Sequence, residues 1–158
     1  MEYAVAKWLH VLSSTVLFGT GVGSAYYMLF TSLRARGDGD PRAVAVVVRQ
    51  VVIADWLFTA TTVVFQPLSG WYLMHLAGYP VGSTWIAWSI ALYVVAVACW
   101  LPVVWLQVRM RNLAVRAVRE ATALPPLYWR YLRTWTLLGI PAFVAFVLIF
   151  YLMVAKPA

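Results

Sequence analysis

Lys7, His10, Ser14 and Thr15 fall at the i, i+3, i+4 spacing of one helical face, inside an apolar run that starts near Ala4. An imidazole in such a run is a candidate ligand for a haem or another cofactor, because an unpaired polar group there is costly and a metal supplies a partner. Gly19 and Gly23 form a small-xxx-small pair roughly on the continuation of that face, where another backbone or a flat macrocycle can come close. Lys7 either anchors a haem propionate or snorkels to headgroups. The cofactor-binding candidates on this helix are therefore Lys7, His10, Ser14, Gly19 and Gly23. The same residues read without a cofactor are a polar contact and a tight helix crossing.

The second histidine, His75, is the candidate for the other axial position. If the first apolar span is centred near Gly19 and the second near Gln66, each histidine lies nine residues from its centre on the same side. At helical rise that places both roughly 13 Å from the midplane. Matched depth is what two imidazoles need to meet one iron, so His10 and His75 are the expected metal ligands. Met74 and Tyr72 are weaker candidates, and an open sixth position is the rival.

Other chemistry is sparse. The chain has only five carboxylates, and it contains no glycine-rich phosphate loop, HExxH helix or serviceable Ser-His-Asp grouping, which argues against a hydrolase. Asp55 is the one acid within a long apolar context. Its expected role is an ion pair with Arg49, Arg109 or Arg133, with a proton relay as the alternative. One cysteine, Cys99, excludes an internal disulfide and a thiolate zinc cluster and reads as a packing residue.

Composition names the elements that must position these groups. At 158 residues, 64% hydrophobic and 11% charged, with mean hydropathy +0.82, the chain is an all-α polytopic membrane protein and not a soluble domain. The pattern predicts a single domain over 1–158, a bundle of four transmembrane helices at about 4–33, 41–77, 84–122 and 128–155. Arg34-Ala35-Arg36-Gly37-Asp38-Gly39-Asp40-Pro41 is turn chemistry, and Pro125-Pro126 separates the last two helices. The second and third helices are longer than a bilayer needs, so they extend into water on the cytosolic side. Pro67 removes a backbone hydrogen bond and frees a carbonyl, so a kink is expected near Gln66-Pro67.

Ten arginines flank the first and third connections, whereas Lys7 and Lys156 lie at the other end. That bias puts both termini outside the cytoplasm of a bacterial plasma membrane. Trp8, Trp71, Trp85 and Trp88 mark the outer interface, and Trp56, Trp105, Trp129 and Trp135 the inner one, leaving Trp100 deep. The net charge of +7 sits beside apolar spans, which makes lipid headgroups and not nucleic acid its partner.

Lys7-Trp8-Leu9-His10-Val11-Leu12, Gly19-Thr20-Gly21-Val22-Gly23, Gly39-Asp40-Pro41, Asp55-Trp56-Leu57-Phe58-Thr59, Tyr128-Trp129-Arg130 and Met153-Val154-Ala155-Lys156-Pro157 together resemble a bacterial family. That family comprises predicted integral membrane proteins of domain of unknown function 2269. The first helix alone also resembles that of HemJ-type protoporphyrinogen oxidases, four-helix haem b proteins with a histidine at this place. That resemblance implies haem b. HemJ-type proteins carry a lysine early in helix three, and Trp85-Ile86-Ala87-Trp88-Ser89 has none, so porphyrinogen chemistry is not implied.

Two function classes follow. One is a membrane b-type haem protein carrying electrons between a quinone or periplasmic donor and an acceptor, and so a membrane oxidoreductase. The other is an accessory membrane subunit without cofactor, using Gly19 and Gly23 for packing, within the chain or in a homodimer.

Overall fold

The computed structural model describes residues 1–157 and contains four long helices joined by short turns. They are α1 (Glu2–Asp38), α2 (Arg42–Ala77), α3 (Thr84–Arg119) and α4 (Pro126–Ala155), each long and apolar enough to cross a membrane. Consecutive helices run antiparallel, so all ten arginines gather at one end and the termini at the other. α3 packs most extensively on α4, and α2 lies against α1 and α3. α1 meets α4 through side chains at two levels, Phe18 against Phe143, Phe146 and Phe150, and Ser32 against Tyr128.

The first turn is tighter than expected. Arg34 to Asp38 continue the helix, and the reversal is confined to residues 39–41. Gly39 takes the left-handed conformation with φ 73° and donates its N–H to the Ala35 carbonyl at 3.0 Å, which ends α1. Pro126 begins α4 two residues earlier than its apolar run suggests, where its missing N–H costs nothing.

Most large buried side chains lie at the Arg-rich end. Met28, Val44, Val48, Met110 and Tyr128 are fully buried there, with Leu106, Leu132 and Trp135 around them. Trp135 thus belongs to the core and not to the inner aromatic belt, because α4 turns that face toward α3. Tyr128 donates its O–H to Ser32 Oγ at 2.7 Å, and Ser32 donates to the Met28 carbonyl at 2.6 Å. Toward the termini the buried residues are mostly small: Ser13, Ser69, Ser89, Ala96 and Ala145. Lipid offers no hydrophobic drive between helices, so close backbone approach over small residues replaces large apolar contacts.

Two irregularities shape α2. Pro67 does free the Val63 carbonyl, and Tyr93 of α3 donates its O–H to that oxygen at 2.5 Å. With the carbonyl satisfied, the α-helix runs unbroken from Ala60 to Ala77. The interruption lies elsewhere, in a π-turn over Asp55–Thr59, where the Ala60 N–H reaches back to the Asp55 carbonyl.

Candidate functional site

Polar chemistry inside the bundle falls in two places along α2. The first surrounds His10. Its Nδ1 lies 2.7 Å from Ser69 Oγ, and its Nε2 lies 3.4 Å from Gln66 Nε2. Ser69 also reaches the Phe65 carbonyl at 2.8 Å. The Cε1 edge of the ring comes close to α2 where Gly70 offers no side chain: a Cβ there would stand 3.3 Å from His10 Cε1. The close approach that the sequence suggested for Gly19 and Gly23 therefore occurs at Gly70. Among the described residues nothing lies within 4 Å of a Cβ built on Gly19 or Gly23, so they make no tight crossing there.

Gly70→Ala is accordingly expected to displace the His10 ring and to lower the thermal midpoint in detergent. Gly19→Ala and Gly23→Ala should leave the midpoint equal or higher, since alanine is the better helix former by up to about 1 kcal/mol. Melting curves followed by circular dichroism at the helical band compare the three directly.

His75 is not brought to His10. It is exposed, six residues beyond Ser69, which is about 9 Å along the helix. Counted from Gln66 it lies nine residues on, a rotation of roughly 180° to the far side of α2. Matched depth fails because the tight turn sets the register. With α1 ending at Asp38 and α2 starting at Arg42, His10 falls opposite residues 66–70 and not opposite His75. Met74 and Tyr72 are also away from the imidazole, Tyr72 being hydrogen-bonded to Glu2. Lys7 is exposed, and Ser14 returns its hydroxyl to the Val11 carbonyl at 2.7 Å.

The second place surrounds Asp55, which sequence reasoning singled out but paired wrongly. Asp55 is 4% exposed, and among the described residues it makes no salt bridge. Arg49, Arg109 and Arg133 are exposed and turn away from it. Thr59 instead donates its hydroxyl to Asp55 Oδ1 at 3.0 Å across the π-turn, and the Gln107 side chain of α3 is the other polar neighbour. Gln107 is itself buried, with its Oε1 lacking a partner. Nothing in the sequence marked Gln107, because one glutamine among apolar residues has no motif.

Asp55, Thr59 and Gln107 stand at the edge of a cavity of about 360 Å³ among all four helices. Leu17, Val63, Ala96, Trp100 and Phe146 supply its apolar wall. Gly21, Val22, Tyr26, Ile140 and Phe143 line its mouth and are exposed, so it opens sideways between α1 and α4. The indole Nε1 atoms of Trp100 and Trp135, both wall residues, are buried without a partner. Each such atom costs about 1–3 kcal/mol until something satisfies it.

These observations test the haem expectation. Both nitrogens of His10 face protein groups, His75 lies on another face, and no histidine lines the cavity. The residues present do not fit a haem held between His10 and His75.

No curated protein and no solved structure matches the chain. A family model described as "Predicted integral membrane protein (DUF2269)" matches residues 4–157, nearly the whole length. The chain is an integral membrane protein with four candidate spans, and it belongs to the DUF2269 family.

Proposed function

We propose that this protein is a membrane-embedded binding module for a lipophilic molecule with a hydrogen-bonding head, of the quinone class. One observation carries the reading: a buried carboxylate without a counter-ion borders a cavity that is otherwise apolar and opens toward lipid. About 360 Å³ lies within the range of small-molecule sites. An apolar ligand body suits the wall. Its carbonyl oxygens suit the unpartnered indole N–H groups of Trp100 and Trp135, and Asp55 can hold or supply a proton at the ring oxygen.

The test uses purified protein in nanodiscs and a short-chain benzoquinone as quencher of indole fluorescence. Saturable quenching that Trp100→Phe weakens supports the site. Quenching that rises linearly and identically in wild type and variant is partition into lipid, and ends the proposal.

The same reading includes an orientation. The Arg-rich end faces the bacterial cytoplasm and both termini face outward, in keeping with the distribution of arginine. Reporters fused after Gly37 and after Ala158 are expected to report opposite compartments, inside for the first and outside for the second.

A further inference from the structure

The two polar places on α2 are not independent. Thr59, Thr62, Gln66 and Ser69 repeat every three or four residues, which keeps them within an arc of roughly 80° on one face of the helix. Asp55 continues the file through the π-turn. α1 covers this face and contributes His10 and, one turn on, Ser13. Ser13 is 7% exposed, and its Oγ has no hydrogen-bond partner; Gln66 Oε1, on the facing turn of α2, has none either. Two unpartnered buried oxygens at one level of one seam mark a place where water completes the network, since a buried water needs several such partners.

His10 stands at the terminal end of this file in a setting that serves either tautomer. With the proton on Nδ1, Ser69 Oγ accepts it and donates to the Phe65 carbonyl. With the proton on Nε2, Ser69 donates to Nδ1, and Gln66, its carboxamide turned end for end, accepts from Nε2. The imidazole can therefore take one proton at Nδ1 from the Ser69 hydroxyl, which water on the terminal side replenishes, and release one at Nε2 to water beside Gln66 and Ser13. No charge remains on the ring once the exchange is complete.

We propose that the α1–α2 seam is a one-sided proton path running from His10 to Asp55 by way of the Ser13, Thr62 and Thr59 hydroxyls and of intervening water that Gln66 orders. Ser69 and Asp55 are fourteen residues apart, so the path covers roughly 21 Å. It ends at Asp55, where one proton converts the carboxylate to the acid. Beyond that level Met28, Val51, Val52, Leu106 and Met110 are all buried and apolar, which closes the route to the Arg-rich end.

No basic side chain pairs with either terminus of the path. His10 meets Gln66, Ser69 and Gly70 across the seam, Lys7 is exposed, and the Glu2–Tyr72 pair lies two turns nearer the termini. Asp55 faces Thr59 on its own helix, Gln107 of α3, and the cavity wall of α1 and α4. The path rests on the ligand reading and deepens it, because it delivers protons to the carboxyl beside which a quinone's ring oxygen would sit, but it is tested without any ligand.

Dicyclohexylcarbodiimide reacts with protonated carboxyls in apolar surroundings. The full chain is inserted into vesicles in one orientation, verified by accessibility of a terminal tag, and a short pulse of the reagent is read by mass spectrometry at Asp55. Lowering the pH from about 8 to about 6 on the terminal side is expected to raise labelling several-fold, and the same change on the Arg-rich side to leave it unaltered. His10→Gln keeps polar contacts to Ser69 and Gln66 but cannot pass a proton through a ring, so the sidedness should vanish at an unchanged melting point. Labelling that follows the Arg-rich side, or both sides equally, overturns the path, as does a His10→Gln variant that keeps its sidedness. Loss of quinone binding with sided labelling retained would remove the ligand reading alone.

Discussion

Replacing Tyr128 by alanine is expected to destabilise the protein by about 3–5 kcal/mol, the usual cost of emptying a fully buried aromatic site. Tyr128 is 0% exposed and fills the core of the Arg-rich end between α1 and α4. It is also one of the few links between those helices, through the 2.7 Å hydrogen bond to Ser32. Tyr128→Phe separates packing from polarity. It leaves Ser32 its bond to the Met28 carbonyl and should cost only about 1 kcal/mol. Urea denaturation in mild detergent, followed by ellipticity and indole fluorescence, ranks the variants. Equal losses for alanine and phenylalanine would mean that the hydrogen bond and not the ring carries the contact.

The second large effect has the opposite sign. Asp55→Leu is expected to raise stability by roughly 1–3 kcal/mol, because an apolar residue, for which the adjoining cavity has room, is cheaper to bury than an acid without a counter-ion. Thr59 would lose its acceptor but can turn its hydroxyl to a backbone carbonyl one turn back, as Thr61 and Thr62 already do. Gln107→Leu in the same chain keeps the buried carboxamide from losing its partner. Asp55→Leu should also abolish saturable benzoquinone quenching. A variant that is both sturdier and unable to bind is the signature of a residue retained for function at the expense of stability. A destabilised Asp55→Leu would instead make the Asp55–Thr59–Gln107 contact a structural one.

Hydropathy made the helices legible, and the gathering of arginines followed from their antiparallel order. The freed carbonyl at Pro67 was legible too, although not its partner, since nothing in Tyr93 announces which helix it will meet. The pairing of the histidines failed for a reason that was also on the page. Centring each apolar span separately ignores the connection between them, whereas a three-residue turn between continuous helices leaves little freedom of register. Counting outward from Gly39 would have moved His10 about 10 Å along α2, from His75 to the Gln66–Ser69 turn. Asp55 drew attention as a lone acid, but the expected ion pair did not form. The nearby arginines sit at helix ends where water solvates them better than a buried carboxylate would.

The π-turn at Asp55–Thr59 also works as a phase adjuster for α2. One extra residue in a turn sets everything after it back by about 100° around the helix axis relative to an uninterrupted α-helix. Before the turn, Val44, Val48, Val51 and Val52 point into the tightly packed end; after it, Thr59, Gln66 and Ser69 point at α1. Without that offset the polar file would fall on the valine face itself, because Thr59, Thr62, Gln66 and Ser69 continue the three-and-four spacing of Val44, Val48 and Val51. The strand of hydroxyls and the valine core are thus two messages written on one helix, kept apart by a single residue of slack.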